Sequence, residues 1–389
     1  MTLAAVALAG YPLATAGEIA VINHESSRER CWRVFRRWPE RTGIAGQIVD
    51  EESRRAHFLG DATALDRLAA LASELLARAP APENYLIAAD VASMRHHFAE
   101  AEAYLGKAEA LGAPQDAVAR LRLTLDQALG QNVSATLESR RERAGASGAI
   151  QDLVPLGALL AELGEFEEAD EVYRRAIEGY RDLSPFPLAS ACFQLGVLWG
   201  ETVPQPDLSR AAHWYGQALA YLPDYTRARV HLAEICLDAG ETAEPEALLR
   251  PVLESGDPEV KWRLAETLAA RGRDAEAAGM CEAARSAFDE LLGRHELAFA
   301  DHAAEFYLSV GADPARASDL ARLNLANRTT LRAFELAHKA ALASGEAALA
   351  DELAFRARAR WGAARVFAYS PLAQSSASAL PREEIGARA

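Results

Sequence analysis

A recurring order of small and large apolar residues constrains this chain more than any other feature. It is clearest in LVPLGALLAELGEFEEADEVYRRAI, residues 153–177. Leucines at spacings of four and three form the apolar stripe of a first helix, and Gly164 ends that helix because glycine adopts the left-handed C-cap conformation at little cost. Small residues at Ala169 and Ala176 let a second helix approach closely, and Tyr173 fills the space between the two. The segment therefore predicts a helix-turn-helix unit.

The same order recurs along the chain, and two of its markers, Ala101 and Ala169, lie two periods of about 34 residues apart. The copies are marked by Leu195, Gly196, Ala211, Tyr215 and Ala218, by Leu232, Ala233 and Gly240, by Leu264, Ala265, Gly272, Ala277 and Ala284, by Tyr307, Gly311 and Ala317, and by Phe334, Gly345, Ala350 and Ala357. This order resembles the tetratricopeptide repeat (TPR). Since one such unit cannot bury both of its faces, the resemblance implies an all-α, right-handed solenoid of stacked helix-turn-helix repeats.

The pattern divides the chain into four parts. Residues 1–43 form an N-terminal segment, 44–149 hold divergent TPR-like repeats, and 150–360 hold the main array. Residues 116–149 are a degenerate copy, in which VARLRLTLDQAL is helical and ESRRERAGASG shows no recognisable core. Residues 361–389 are mainly small and polar and are interrupted by prolines, so we expect this segment to be mostly disordered.

Residues 28–41 read RERCWRVFRRWPER, a basic and aromatic stretch in an acidic protein. On a helix, Cys31, Phe35 and Trp38 share one apolar side, and the arginines spread around the rest. We expect this helix to cap the exposed end of the solenoid, with its guanidinium groups paired to acids such as Glu51 and Glu52. Two alternatives stay open: an autoinhibitory ligand for the protein's own groove, or a contact site for an external anionic surface.

The charge balance bears on partners and location. With 41 basic and 56 acidic residues, the formal net charge is -15, which disfavours nucleic acid and favours basic partners. The four cysteines show no metal-ligand spacing and are expected to be reduced, which fits a cytoplasmic location. Ala14-Thr15-Ala16 resembles a signal-peptide cleavage site, although no basic residue precedes Arg28, so a periplasmic or secreted protein is the alternative. No stretch is long enough for a stable membrane span.

Catalytic and metal-binding patterns are weak in this sequence. His231 and Glu234, and likewise His302 and Glu305, lie three residues apart, but neither pair forms an HExxH motif. The chain contains no G-x-S-x-G nucleophile elbow, and GASG at 145–148 lacks the lysine of a phosphate loop. We therefore expect no enzyme activity, no metal and no cofactor.

The resemblance also implies where a partner would bind. In TPR arrays the first helix of each repeat faces a concave groove, which predicts a groove lined by Phe193, Val197, Arg227, Val230, Glu234, Glu259, Trp262, Glu266, Asp301 and Glu305. Its apolar and acidic character would suit a protein or peptide with basic and apolar side chains. A non-catalytic interaction scaffold or adaptor is the expected function, and an obligate accessory subunit or assembly factor of an enzyme complex is the alternative.

Overall fold

A computed structural model of the chain describes residues 15–374, which contain α-helices, short 3-10 and π turns, and no strand. In chain order, the α-helices are α1 (Ala16–Arg37), α2 (Ile44–Leu59), α3 (Thr63–Arg78), α4 (Pro82–Met94), α5 (Phe98–Ala110), α6 (Gln115–Leu129), α7 (Val133–Ser147), α8 (Ile150–Leu163), α9 (Phe166–Gly179), α10 (Pro185–Val197), α11 (Leu208–Tyr221), α12 (Thr226–Asp238), α13 (Ala243–Leu249), α14 (Pro258–Ala270), α15 (Asp274–Leu308), α16 (Pro314–Asn327), α17 (Leu331–Ala343), α18 (Ala347–Trp361) and α19 (Pro371–Gln374).

Each helix packs mainly against its neighbours in sequence, so the described chain is an all-α solenoid of stacked helical hairpins, and the expected fold class is confirmed. The degenerate copy forms the helix pair α6 and α7. There α7 buries Thr136, Arg140 and Ala144 in place of large apolar residues. The Arg140 guanidinium donates a hydrogen bond of 3.1 Å to the Leu123 carbonyl, which satisfies part of this polar side chain.

The marker residues pack as their types require. Ala169 and Ala176 are buried beside the equally buried Tyr173, and the ring of Tyr173 lies against the backbone of Gly157. A Cβ atom on Gly157 would lie 2.6 Å from that ring. At the end of α8, Gly164 takes a φ of 86°, which is the left-handed cap that the sequence predicted.

Two regions differ from the simplest repeat scheme. The second helix of one hairpin and the first helix of the next merge into α15, with only a kink at the buried His295, where φ is -141°. Residues 361–374, expected to begin a disordered tail, instead join the folded body, because Phe367 and Leu372 are buried against the last hairpins. The expected disorder of 375–389 falls outside the described residues, as does most of the candidate signal peptide.

The solenoid curves until distant repeats touch. His57 at the end of α2 meets Tyr225 at the start of α12, with 3.0 Å between His57 Nε2 and the tyrosine hydroxyl. The Asn327 side-chain amide donates to the His96 carbonyl at 2.9 Å. The Arg365 guanidinium forms an ion pair of 2.7 Å with Glu165. These contacts join α2 to the start of α12, the turn before α5 to the end of α16, and the turn before α9 to the segment after α18.

Helix α1 packs along α2 and also reaches the middle of the array. Cys31 and Phe35 are buried against α2 and α3, whereas Trp38 follows the end of the helix and is 46% exposed, contrary to the apolar stripe that the sequence predicted. At the other end of α1, Gly17 lies so close to the Tyr221 carbonyl that a Cβ would be 2.5 Å from it. The helix therefore contacts both the first pair and α11, and its role as a terminal cap stays a prediction.

The remaining expectations from the sequence concern the state of the cysteines and the presence of a membrane-spanning helix. The four cysteines are free thiols: Cys31 and Cys192 are buried, and Cys236 and Cys281 are half-buried. Among residues 15–374, no helix has the length and apolar character needed to span a bilayer.

Candidate functional site

Ionisable side chains from successive hairpins interact with one another along the array. Glu201 lies in the turn after α10, and the others project from the first helices of later hairpins. We call this surface the charged groove and define it by Glu201, His231, Glu234, Glu259, Asp301, His302, Glu305 and Arg332. Their electrostatic interactions form one connected set, since Arg332 on α17 lowers the pKa of Glu201 after α10.

Glu201 and His231 form the first pair in the charged groove. His231 Nδ1 lies 2.7 Å from Glu201 Oε1, and the Tyr215 hydroxyl donates to the same oxygen at 3.1 Å. Burial raises the pKa of Glu201, but the interactions with His231, Arg332 and Tyr215 outweigh it and hold that pKa at about 2. Burial lowers the pKa of His231, and the Glu201 carboxylate more than compensates, so that pKa is raised. Both shifts favour the ionic form of this pair over the neutral form.

A second cluster contains His302 between two acids. Its Nδ1 contacts Glu259, and the Arg328 guanidinium contacts Asp301. Burial lowers the pKa of His302, but the charges of Asp301, Glu259 and Glu305 raise it to about 9. Burial raises the pKa of Asp301, and His302 and Arg328 then lower it to about 2. His302 is thus a cation at neutral pH.

The remaining acids of the charged groove also have cationic neighbours. Glu234 lies 2.8 Å from Arg263, which also bonds Glu266 at 3.0 Å and stacks 4.0 Å from the Trp262 ring centre. Glu305 pairs with Arg332 at 3.2 Å. The charged groove is therefore a mixed surface in which most acids are matched by a cation of the chain, whereas the sequence predicted an apolar and acidic lining.

The structure brings some of the predicted groove residues together and places others in the core. Glu234, Glu259, Asp301 and Glu305 line the charged groove, and Arg227 lies near enough to lower the pKa of Glu259. Three predicted apolar contacts are enclosed by other side chains, with exposed fractions of 5% for Phe193, 1% for Val230 and 3% for Trp262. Half-buried Val197 packs among aromatic residues, and Glu266 holds the Trp262 indole at 2.7 Å.

The sequence-based assignment missed Glu201, and it treated His231 and His302 only as candidate metal ligands. Glu201 begins the Pro-rich insertion ETVPQPD, outside the repeat frame, so periodicity carries no signal for it. The histidines pair with carboxylates instead: His231 with Glu201, His302 with Glu259, and His295 with Asp66 at 2.8 Å. Within 15–374, no group of three or more potential ligands is arranged to hold a metal ion.

Comparison with known proteins identifies neither a family nor a ligand for this chain. No family model matches the chain, and no curated protein matches it in sequence. Among solved structures, yeast Tom70 is 12% identical, with a TM-score of 0.35 and coverage of 87% of this chain and 85% of that one. Human IFIT1 in a dimer with PPP-AAAA is 14% identical, with a TM-score of 0.39 and coverage of 79% and 76%. A structure of Naa15/Naa10 bound to HypK-THB is 14% identical, with a TM-score of 0.29 and coverage of 87% and 63%.

Identities and TM-scores this low carry no information on partners. Membership of the TPR family and the expected absence of nucleic-acid binding therefore both stay predictions.

Proposed function

We propose that this protein is a non-catalytic interaction scaffold or adaptor that holds a segment of a partner protein in the charged groove. The observation that carries the proposal is a connected set of ionisable side chains from α12, α14, α15 and α17, several of which remain partly open to solvent. Apolar packing between hairpins builds the solenoid without them.

The exposure of individual groups identifies those available to a ligand. The side chains of Glu201, Glu234 and Glu305 are 38%, 37% and 33% exposed, and Arg332 is 64% exposed. The Glu305–Arg332 pair is exposed on both sides, and such pairs contribute only about 0–1 kcal/mol to stability, so a ligand can exchange this pair at low cost. These carboxylates are suited to a partner's Lys or Arg side chains.

The apolar part of the expected ligand has weaker support. Since Phe193, Val230 and Trp262 pack in the core, Val197 is the only half-exposed apolar member of the predicted set. We therefore propose that basic side chains make the main contacts and that shape and backbone contacts supply the rest. A cytoplasmic location belongs to the same proposal.

A peptide-display selection on the purified full-length chain tests this function. We expect enrichment of Lys- or Arg-containing peptides that bind the wild type and lose most of their affinity for the Glu234→Gln, Glu305→Gln variant. The matched control is Glu282→Gln, Glu352→Gln. These two acids are also exposed and paired with an arginine, but in each case the arginine lies on the same helix as the acid. Equal binding to both variants would place the ligand elsewhere and contradict the proposal.

Purification of the tagged chain from its native source separates the adaptor from the accessory subunit. A partner recovered in fixed stoichiometry, which survives both substitutions and high salt, would identify an obligate subunit. A partner that the groove variant loses and the control variant keeps would support the adaptor.

A further inference from the structure

A second charged surface lies apart from the groove, in a cleft of about 530 Å³ between α1 and α3. Its lining includes Glu29 and five residues that we call the arginine cleft: Arg28, Trp32, Arg33, Arg36 and Arg67. Four of these side chains are cationic in a protein whose formal net charge is -15. The concentration of arginine here is therefore local and opposes the average charge of the chain.

Two of the four arginines, Arg28 and Arg67, are fixed by the same buried carboxylate. The side chain of Glu52 is completely enclosed, and it accepts hydrogen bonds from Trp32 Nε1 at 2.6 Å and from Arg67 Nε at 2.9 Å. Arg28 contributes a longer bond of 3.3 Å to Glu52 and another of 3.2 Å to Glu25. Arg28, Trp32 and Arg67 thus form a preorganised floor, since each is held by a buried acceptor.

The other two arginines, Arg33 and Arg36, are exposed and make no hydrogen bond or ion pair with any residue of 15–374. They lie three positions apart on α1, where like charges on one helix face repel each other. The autoinhibition hypothesis placed this segment in the protein's own groove, but its charged contacts are with Glu25 and Glu52. Within the described part of the chain, both guanidinium groups therefore remain available to pair with an external anion.

We infer that the arginine cleft binds a short acidic segment of a partner protein. Its Asp or Glu carboxylates pair with Arg33 and Arg36 in the two-pronged geometry that guanidinium groups favour. The half-exposed indole of Trp32 offers an apolar surface beside them. From Arg28 to Arg36 the helix rises about 12 Å, which matches about four residues of extended peptide.

Charge favours a short peptide over nucleic acid as the occupant. A long nucleic-acid strand would extend its phosphates beyond the basic segment, where the net charge of -15 would repel them. A short acidic segment keeps its charge within the cleft.

Fluorescence anisotropy with a labelled hexaglutamate peptide and the full-length chain tests this inference, with the same-length glutamine peptide as the ligand control. We expect salt-sensitive binding that the Arg33→Gln, Arg36→Gln variant weakens roughly tenfold or more, because two charge-assisted contacts are lost. The matched control is Arg30→Gln, Arg41→Gln, which removes the same charge from exposed positions outside the cleft lining.

Three outcomes would overturn the inference. One is the absence of hexaglutamate binding to the wild type, and another is equal weakening in both variants, which would reveal only diffuse attraction to the basic segment. The third is tighter binding of a short oligothymidylate than of the peptide at matched charge, which would make nucleic acid the ligand. Circular dichroism of both variants verifies that the helices are retained.

Discussion

The Tyr225 hydroxyl lies 3.0 Å from Nε2 of His57, although 168 positions separate the two residues in the chain. Burial, followed by the nearby charge of Arg227, lowers the pKa of His57 to about 3. The ring is therefore neutral at physiological pH, and the hydrogen bond joins α2 to the start of α12 without an ionic contribution.

Replacing Tyr225 by Phe should lower the free energy of unfolding by about 1–2 kcal/mol, because a partly buried hydrogen bond is lost and His57 Nε2 loses its partner. Urea unfolding monitored by circular dichroism measures this change. Tyr104→Phe is the control, since it removes a hydroxyl that donates to Glu100 on the same exposed helix. Equal effects of the two substitutions would mean that the contact between α2 and α12 adds no stability.

Replacing Gly157 by Ala should destabilise the array by about 1–3 kcal/mol, because the added methyl group meets the ring of Tyr173 in a packed core. Gly106→Ala is the matched control in α5, where a Cβ would have no neighbour within 4 Å. That change should be neutral or stabilising by up to about 1 kcal/mol, through helix propensity. Thermal unfolding of both variants checks the difference, and a neutral Gly157→Ala would refute the packing assignment.

Replacing Glu52 by Ala should cost about 3–5 kcal/mol, because it leaves the guanidinium groups of Arg28 and Arg67 and the Trp32 indole without their shared buried acceptor. The comparison is Glu74→Ala, which breaks an exposed pair with Arg78 on one helix and should cost about 0.5 kcal/mol or less. Chemical denaturation of both variants measures these values. Similar losses would show that Glu52 does not organise the packing of α1 on α2 and α3.

The stability of the wild type should decline between pH 6.5 and pH 9 because of His302. Its pKa in the folded protein is about 9, against an ordinary value of 6.5, so its contribution is complete below pH 6.5 and is lost as pH rises through 9. The His302→Gln variant should show a smaller decline over this range, whereas the exposed His213→Gln control should follow the wild type. Parallel profiles for all three proteins would contradict the ionic assignment of Glu259, His302 and Asp301.

Local periodicity was sufficient to predict the hairpins. The spacing of Leu156, Leu160, Ala169 and Tyr173 encodes two helix faces within one short segment, and packing follows from those faces. Even the degenerate pair α6 and α7 was found from the repeat interval, although α7 buries a threonine and an arginine.

The lining of the groove was harder to predict, because it depends on residues from distant hairpins. The position of Phe193 in the repeat predicted that it faces the groove. In the structure, the ring centres of Tyr215 and Tyr225 lie 5.5 and 5.2 Å from the ring centre of Phe193, and these rings enclose it. Trp262 is covered in the same way by Phe288 and Phe306. The cations that pair with the predicted acids also come from other helices, so the local spacing of the sequence could not predict these pairs.

The return of the solenoid onto itself changes how such an array folds. An open array can nucleate at any hairpin and grow by nearest-neighbour steps, so that its ends fray independently. Here the pairs His57–Tyr225 and His96–Asn327 join residues that are 168 and 231 positions apart in the chain, so they form only when distant repeats have come together. Such pairs raise the contact order, which slows folding, and they couple repeats that are far apart in the chain. Removing the first hairpins should therefore loosen repeats that follow them by more than a hundred residues.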